Sequence, residues 1–366
     1  MPSPKFKRNL TRILPYGIIW LVIGWLILFI QEAATQHQNL NPDAAITLTP
    51  SVFVFASIAV ALVGFTVGAL EVLWLGRLFS KKSFFKKIFL KVVFYGVFLT
   101  LVMIIVYPIA AGLELELSPL HPRVLEKLSN FFVSLDFAST AVSLGFSLFI
   151  SLFYSEISEN VGHGVLMNFF TGKYHKPREE ERVFLFADMK SSTRIAEKLG
   201  HIQYFQLLRD YYKDFSDAII NSSGEIYQYV GDEIVLTWSV SQKQSLNLCI
   251  DCYVAMKDKL DAQANHYQNK YGMVPTFKAG LHIGRVTTGE IGDLKKDIIF
   301  TGDVLNTTAR IQGLCNQLNT DILLSQNLVS QMKPSAKFRF KTVGAHPLRG
   351  KEEVLELFTI SSRTEQ

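Results

Sequence analysis

Residues 182–193, RVFLFADMKSST, decide the expected architecture of the C-terminal half. An apolar run of strand type leads to Asp188, and the serine and threonine residues after it open a predicted helix towards Leu199. A carboxylate at a strand end, beside the free N–H groups of a helix N-terminus, suits a magnesium–triphosphate complex. Alone this motif is weak, because Asp followed by Ser or Thr is also an ordinary helix cap.

Residues 224–238, GEIYQYVGDEIVLTW, contain two strand-like runs on either side of Gly231 and Asp232. This pattern predicts a β-hairpin with the Gly-Asp pair at its tip. The simplest interpretation is a turn of no chemical interest. Alternatively, a second carboxylate on an adjacent hairpin could bridge the same two metal ions as Asp188, and two metals can drive in-line attack on a phosphate.

Residues 300–312, FTGDVLNTTARIQ, predict a helix that carries Asn306 and Arg310. These residues are four positions apart and therefore project from one helix face. An amide and a guanidinium on one face can orient a ribose and neutralise charge that develops on phosphate. Taken alone, an exposed Asn and Arg on a helix would be unremarkable.

In this order, the three motifs resemble the catalytic domain of class III adenylate and guanylate cyclases. The resemblance covers roughly residues 182–360 and includes KAGLHIG at 278–284 and TGEIG at 288–292. It implies an α+β, ferredoxin-like βαββαβ domain that forms a dimer with its sites at the subunit interface. Because one chain carries both halves of a site, a homodimer could have two complete sites.

The resemblance also assigns roles to individual residues. It implies that Asp188 and Asp232 bind two Mg²⁺ or Mn²⁺ ions, with Met189 beside Asp188 as a further candidate metal residue. Asn306 and Arg310 would come from the other subunit, position the nucleotide and stabilise the transition state. The candidate nucleotide-binding residues are Ser191, Ser192, Thr193, Gln228, Ile299, Arg349 and Lys351, and one of the last two would bind triphosphate.

Two positions in this family select the purine. Adenylate cyclases usually have lysine and aspartate (or threonine) there, and guanylate cyclases have glutamate and a small residue. Here the positions hold Gln228 and Ile299, and Asp297 would need a bulge or a shifted register to reach the base. Gln228 can donate and accept hydrogen bonds, so it could serve either purine. We favour ATP, the commoner bacterial-type substrate, with GTP as the alternative.

Three other functions compete with this one. Residues 229–235 also look like the signature of diguanylate cyclases, but Val230 replaces its first glycine and those domains lack the Asn/Arg element. A decayed scaffold would usually have lost a metal carboxylate or the Asn/Arg pair. A transporter with an attached cyclase is disfavoured by the absence of a broken-helix pattern.

The N-terminal half has a different composition. Hydrophobic residues make up 49% of the 366-residue chain and charged residues only 19%, against about 25% in soluble domains. Four apolar segments are close to the ~20 residues that a membrane-crossing helix needs. They are residues 13–30, 52–75, 88–111 and 131–154.

Basic residues indicate the orientation of these segments. Lys and Arg precede the first segment and fill the loop between the second and third, whereas loop 31–50 has neither and loop 112–130 is mixed. The positive-inside rule then predicts that the N-terminus and the catalytic domain are cytoplasmic. The four segments would lie in the plasma or inner membrane. Glu71 and Asp136 lie within the segments; an intramembrane carboxylate is a functional candidate, but hydration near an interface explains both equally well.

The predicted domains are a four-helix transmembrane bundle (1–154), a helical connector (155–181) and the catalytic domain (182–362). In the connector, Ile157, Val161, Val165, Leu166 and Phe169 recur at helical spacing, which favours a signal-transmitting helix over a passive spacer. The expected partners are the nucleotide, a second copy of the chain and membrane lipid, with no nucleic acid.

Cys249 and Cys252 have a C-x-x-C spacing, which is found in redox pairs and zinc sites. No second pair completes a zinc site. We therefore expect two buried cysteines one turn apart on a helix.

Overall fold

The computed structural model describes residues 3–35, 41–79, 83–240, 246–334, 337–348 and 354–362. The chain divides into two compact units. Phe6–Met167 forms the first, and Asn168–Gln366 together with Met1–Lys5 forms the second. We call them the helical unit and the catalytic unit.

The helical unit contains the four expected apolar helices, and among the described residues these are long and apolar enough to cross a membrane. Helix α1 spans Pro4–Thr35, α2 Pro50–Leu70, α4 Phe84–Leu115 and α6 Leu135–Val161. Helix α2 continues through a π-helical turn, Glu71–Leu75, into the short α3, Gly76–Leu78. The π-turn places Glu71, Val72 and Leu75 on the buried side of the helix.

The fourth apolar segment is divided differently from the prediction. Phe131 belongs to a separate short helix, α5 (Pro122–Phe132), and α6 begins only at Leu135. Ser134 caps α6 by accepting hydrogen bonds from the backbone N–H groups of Asp136 and Phe137. Asp136 therefore lies in the first turn of α6 rather than further along a helix that starts at residue 131.

Helices α1 and α2 approach closely because two glycines of α2 face α1. A Cβ atom on Gly64 would lie 2.7 Å from the Trp20 Cβ, and one on Gly68 would lie 2.8 Å from the Tyr16 ring. Small residues four apart permit this kind of backbone approach between apolar helices. Tyr16 and Trp20 are almost fully buried as a result.

The proximity of an interface had suggested that Glu71 is hydrated, but the structure buries it. Its side chain is 1% exposed and forms an ion pair with Lys91, which is fully buried. Tyr95 Oη donates to Glu71 Oε2 at 3.2 Å, and Ser155 Oγ donates to Glu71 Oε1 at 3.4 Å. Lys91 Nζ is also 3.6 Å from Glu156 Oε1. Partners on α4 and α6 thus compensate a charge that would otherwise be costly to bury.

The connector is helical but not continuous. Helix α6 ends at Val161, Gly162 has φ +91°, and α7 then runs over His163–Thr171. A positive φ favours glycine and interrupts the helix here. His163 begins α7, and burial lowers its pKa below the ordinary histidine value. The apolar residues of the predicted connector helix are therefore divided between α6 and α7.

The catalytic unit is built on one eight-stranded sheet with the order β2-β3-β1-β4-β6-β8-β7, and β5 pairs with β4. Its first strands alternate with helices in the expected βαββαβ order, and β1 pairs antiparallel with β3 and β4, as in a ferredoxin-like sheet. The elements are β1 Arg178–Met189, α8 Ser192–Asn221, β2 Glu225–Val230, β3 Glu233–Ser239, α9 Leu248–Ala262, α10 Ala264–Tyr271, β4 Phe277–Ile291, β5 Asp297–Thr301, α11 Asp303–Gly313, β6 Ile322–Ser325, α12 Gln326–Val329, β7 Phe338–Pro347 and β8 Val354–Ser362.

The two faces of the sheet are covered by different elements. Val183, Leu185, Ala187 and Met189 of β1 join a large core with α8 and α9. Phe184 and Phe186 point the other way and pack with Val304 of α11. Strand β1 starts at Arg178, four residues before the predicted start of the catalytic domain. Residues 178–181 pair with β4, so they belong to the same sheet.

The two cysteines of the C-x-x-C spacing are buried thiols of α9, as expected. Cys249 Sγ donates to the Leu246 carbonyl at 2.9 Å, and Cys252 Sγ lies 3.8 Å from Met256 Sδ. Burial raises the pKa of Cys252 to about 12, so its thiolate is disfavoured. Both residues act as small apolar side chains in the core.

Candidate active site

Asp188 reaches the candidate site because side chains alternate along β1. Even-numbered residues from 184 to 188 point towards the face that α11 covers, and odd-numbered residues point into the core. Asp188 is the last of these before the strand ends, and it is opposite Glu233 on β3 and Lys278 on β4. Met189, the other candidate metal residue on β1, has its side chain in the core with 1% exposure. Only its backbone carbonyl could take part.

Asp232 lies at the tip of the β2–β3 hairpin, as predicted. Gly231 has φ +63°, which allows the tight turn. Tyr212 of α8 fixes this tip, since its hydroxyl donates to the Gly231 carbonyl at 2.8 Å and lies 3.3 Å from the Glu233 carbonyl oxygen. The second carboxylate is therefore held in place by a side chain from the core helix.

The two aspartates are close enough to influence each other. Burial raises the pKa of Asp188, and the carboxylate of Asp232 raises it further. The same pair acts on Glu233: burial, then the charges of Asp188 and Asp232, raise its pKa to about 7. The site is thus a partly buried cluster of negative charge.

Two residues outside the predicted set compensate Asp188. Lys278 Nζ lies 3.5 Å from Asp188 Oδ2, and Gln312 Nε2 donates to the same oxygen at 3.3 Å. Asp232 differs, because its Oδ2 atom is buried and has no hydrogen-bond partner among the described residues. A buried carboxylate oxygen without a donor is costly unless a cation or proton satisfies it.

This donor set fits divalent cations. The carboxylate of Asp188 and the unpartnered carboxylate oxygen of Asp232 are the hard oxygen ligands that Mg²⁺ and Mn²⁺ prefer. Within the described ranges no group of three or more His, Cys, Asp or Glu side chains converges on one point. Ions held by the aspartates would therefore rely on phosphate and water oxygens as well, which is the usual situation for Mg²⁺ at phosphate-processing sites.

Helix α8 begins directly after Asp188 with the three candidate phosphate-binding residues. Ser191 has φ +56°, and its side chain makes no capping hydrogen bond. The ordinary capping interpretation of this motif is therefore not supported, and the first N–H groups of the helix remain available to an anion. Ser191 and Thr193 are exposed, and Ser192 is half-buried. The first helical segment ends at Gly200, where φ is +72°, just after Leu199 as predicted.

Asn306 and Arg310 lie on α11, one turn apart, as the spacing predicts. Asn306 is exposed and Arg310 is half-buried. In the described part of the chain, neither side chain forms a hydrogen bond or an ion pair with Asp188 or Asp232. The chain thus places the acidic pair together but leaves the Asn/Arg pair separate from it.

The two purine-selecting positions are on strands that touch. Gln228 is on β2, just after a bulge at Tyr227, and Ile299 is on β5. The rings of Tyr227 and Phe300 meet edge-to-face with centroids 4.9 Å apart, so the residues next to both positions are in contact. Asp297 stays in regular register on β5 without the bulge that it would need, and it pairs with Lys295 at 2.8 Å.

Sequence reasoning missed Lys278, Gln312 and Glu233 as neighbours of Asp188. Lys278 and Glu233 were within quoted motifs, but only the strand register shows that they are opposite Asp188. Gln312 is two residues beyond Arg310, at the end of the third motif. Arg349 and Lys351, the candidate triphosphate-binding residues, lie outside the described residues.

The fold and the acidic site define a class III nucleotide cyclase domain. The family model described as adenylate and guanylate cyclase catalytic domain matches residues 174–362, and the chain belongs to this family. The match begins eight residues before the predicted domain start and includes the whole of β1.

Curated relatives are consistent with this assignment. The chain is 35% identical over 211 residues to adenylate cyclase 2 of Rhizobium meliloti (strain 1021), covering 58% of each chain. It is 26% identical over 183 residues to an adenylate cyclase of Anabaena cylindrica, covering 49% of this chain and 36% of the relative. The chain thus spans less than two thirds of the length of these relatives.

A solved structure of a bacterial light-regulated adenylyl cyclase shares the fold. Its TM-score is 0.50 at 21% sequence identity, covering 58% of this chain and 62% of that one. The expected α+β cyclase domain is therefore confirmed, and the helical unit has the four expected apolar helices.

Proposed function

We propose that this chain is a membrane-bound adenylate cyclase that converts ATP into 3′,5′-cyclic AMP and diphosphate. The observation that carries the proposal is the pairing of Asp188 with Asp232, whose buried Oδ2 has no partner among the described residues. Membership in the cyclase family and the relatives named as adenylate cyclases support it.

Each candidate residue has a role in this proposal. Asp188, Asp232 and the Met189 carbonyl would hold two Mg²⁺ or Mn²⁺ ions, which when bound polarise the α-phosphate and activate the ribose 3′-hydroxyl. The first turn of α8 binds the triphosphate through its N–H groups and the hydroxyls of Ser191, Ser192 and Thr193. Arg349 or Lys351 adds a cation for the same triphosphate.

The remaining two residues act on the other side of the nucleotide. Asn306 orients the ribose, and Arg310 neutralises the charge that develops on the transferring phosphate. In this arrangement the ribose 3′-hydroxyl and the α-phosphate are held in position before they react. This lowers the entropic cost of in-line attack.

We infer that the working form is a homodimer with shared sites. Among the described residues Asn306 and Arg310 form no hydrogen bond or ion pair with the acidic pair of their own chain, and this supports a role for them in the site of a second copy. Ile226 and Val230 on β2 are 42% and 51% exposed, and β2 is an edge strand of the sheet. An exposed apolar edge is a surface that another copy can cover.

The dimer can be tested by mixing two inactive variants. Asp188→Ala loses the acidic half-site and Arg310→Ala loses the other half, so each alone should be inactive. Co-expression should restore roughly a quarter of the wild-type activity, because half of the dimers are mixed and each has one intact site. Absence of rescue, with mixed dimers demonstrated by two affinity tags, would exclude shared sites.

Adenine is the proposed base because the matched relatives named above are adenylate cyclases. The amide oxygen of the exposed Gln228 can accept a hydrogen bond from the adenine amino group, and Ile299 offers an apolar contact but no side-chain hydrogen bond. Guanylate cyclase activity is the alternative, since the same amide can also donate to a guanine oxygen.

The basic residues of the sequence support a cytoplasmic catalytic domain anchored in the plasma or inner membrane by the four apolar helices. Membrane lipid would then be the environment of the helical unit.

One assay tests the proposal. The purified full chain is supplied with ATP or GTP and Mn²⁺, and the products are identified by mass. We expect cyclic AMP from the wild type and from Asp258→Ala, an exposed control on α9, but none from Asp188→Ala or Asp232→Ala. Cyclic GMP would establish the alternative base. Cyclic di-GMP, or no product from folded dimers with metal, would overturn the proposal.

A further inference from the structure

The helical unit contains an apolar cavity of about 280 Å³ between α1, α2, α4 and α6, which is partly open to its surroundings. Trp20, Val63, Leu99 and Leu144 line the part nearest the middle of these helices. The other end is lined by Tyr107 and by Asp136 in the first turn of α6. Asp136 and Leu144 are eight residues apart on one helix, so the cavity extends for roughly 12 Å.

The polar groups at the Asp136 end are few, and most are already engaged. Tyr107 Oη donates to the Ala44 carbonyl, and Thr140 Oγ1 donates to the backbone carbonyl of Asp136. Trp20 Nε1, deeper in the cavity, donates to Ser151 Oγ at 2.8 Å. The tyrosine, threonine and indole donors among these described lining residues are therefore already used within the protein.

Asp136 differs from these polar groups, because its negative charge is not paired with a described cation. Its Oδ2 accepts a hydrogen bond from Asn41 Nδ2 at 2.8 Å, but no described Lys, Arg or His forms an ion pair with it. Lys127 of the neighbouring helix α5 forms an ion pair with Glu114 at 2.6 Å. A carboxyl group at the end of an apolar cavity, without an ion pair to any described Lys, Arg or His, complements a ligand that brings its own positive charge.

A purely structural role of Asp136 would explain part of its placement. A carboxylate in the first turn of a helix is stabilised by the helix dipole. That role requires neither the cavity nor the position of Asp136 in its lining. Ser134 already caps the helix N-terminus.

We propose that this cavity binds an amphiphile with a single apolar body and a protonated amine head that pairs with Asp136. The apolar body lies between α1, α2 and α4, and the head lies beside Asp136 at the polar end. The helical unit is then a receptor for this class of compound, whether or not the catalytic unit makes cyclic AMP.

Trp20 provides a direct measurement, because its indole lines the cavity. In the full chain with Trp25→Phe and Trp74→Phe, Trp20 is the remaining tryptophan of the helical unit. The probe is ω-bromodecylamine, whose bromine quenches a neighbouring indole, and ω-bromodecanoic acid and ω-bromodecanol are its head-group controls. We expect saturable quenching by the amine at roughly tenfold lower concentration than by the acid or alcohol.

Variants then distinguish a specific amine-binding site from a cavity that lipid fills without selectivity. Asp136→Asn should abolish the preference for the amine, and Ala59→Phe, which fills the cavity, should abolish saturable quenching. Leu62→Phe, on the exposed side of α2, should leave both unchanged. Equal quenching by all three probes, or an amine preference that survives in Asp136→Asn, would overturn the proposal. Should that variant fail to fold, the head-group series with Ala59→Phe decides.

Discussion

Lys278 and Asp188 are directly opposite each other on neighbouring strands, and the lysine Nζ lies 3.5 Å from the carboxylate Oδ2. Lys278 is 14% exposed and Asp188 28% exposed. The lysine lowers the pKa of Asp188 and so opposes the effects of burial and of Asp232. It therefore competes with any cation that the acidic pair binds.

Replacing Lys278 should strengthen metal binding. Lys278→Met removes a competing positive charge worth about 0.5–1 kcal/mol for a partly exposed pair. We expect half-maximal cyclase activity at a Mn²⁺ concentration roughly two- to fivefold lower than in the wild type. Lys295→Met, on the exposed loop before β5, is the control. An unchanged or higher Mn²⁺ requirement in Lys278→Met would contradict this role.

Tyr227 should control how well the purine is bound. Its ring packs on Phe300, and its loss would separate the strands that carry Gln228 and Ile299. An aromatic pair of this kind contributes about 0.5–1.5 kcal/mol, so Tyr227→Ala should raise the KM for ATP roughly two- to tenfold with a smaller change in kcat. Tyr227→Phe keeps the ring and loses only the long hydrogen bond that the Phe300 N–H donates to the Tyr227 hydroxyl at 3.5 Å, so its KM should stay close to that of the wild type. A loss confined to kcat would be evidence against positioning of the base.

Asp210 should make the catalytic unit sensitive to acid. Burial acts to raise the pKa of Asp210, but the hydrogen bonds from Lys270 at 2.6 Å and Tyr271 at 2.8 Å outweigh burial and lower it. A carboxylate whose folded pKa is depressed stabilises the fold above its unfolded pKa of about 3.9, and this stability is lost as the pH falls through the folded value.

The corresponding experiment compares Asp210→Asn with the wild type across pH. The difference in Tm should be present from about pH 7 to pH 5 and should shrink below about pH 4. Asp258→Asn, exposed on α9, should show no such difference. A Tm difference for Asp210→Asn that persists at low pH would mean that packing, not charge, is responsible.

The buried pair of Glu71 and Lys91 predicts a non-additive effect on stability. Lys91→Met alone leaves the Glu71 carboxylate buried without its cation, which costs about 3–5 kcal/mol. Glu71→Leu with Lys91→Met removes both charges and should recover most of the lost thermal stability of the full chain in detergent. Lys86→Met, an exposed neighbour on α4, controls for the loss of one lysine. Equal Tm losses in the single and double variants would refute the idea.

The parts of the fold that the sequence predicted are those set by local pattern. The apolar run before Asp188, the Gly231 turn and the helix of Asn306 and Arg310 all depend on residues close in the chain. The same holds for the long apolar helices, because length and composition alone distinguish them.

The remaining features depend on contacts between distant residues. The burial of Glu71 requires Lys91 on another helix, and the compensation of Asp188 requires the register between β1 and β4. The break before α6 was missed because residues 131–154 are apolar on both sides of Ser134, so hydropathy does not mark the end of α5. Gly162 was visible in the sequence, but only its positive φ shows that the connector is divided.

The alternation along β1 also limits how this protein can change over generations. Insertion or deletion of one residue between Val183 and Asp188 would turn every later side chain to the opposite face. Phenylalanines would then replace the core residues and Asp188 would point into the core, so a single event would destabilise the sheet and remove Asp188 from the acidic pair. Lineages should therefore tolerate substitutions in this strand but almost never a change in its length, and length variation should accumulate in the loops between elements.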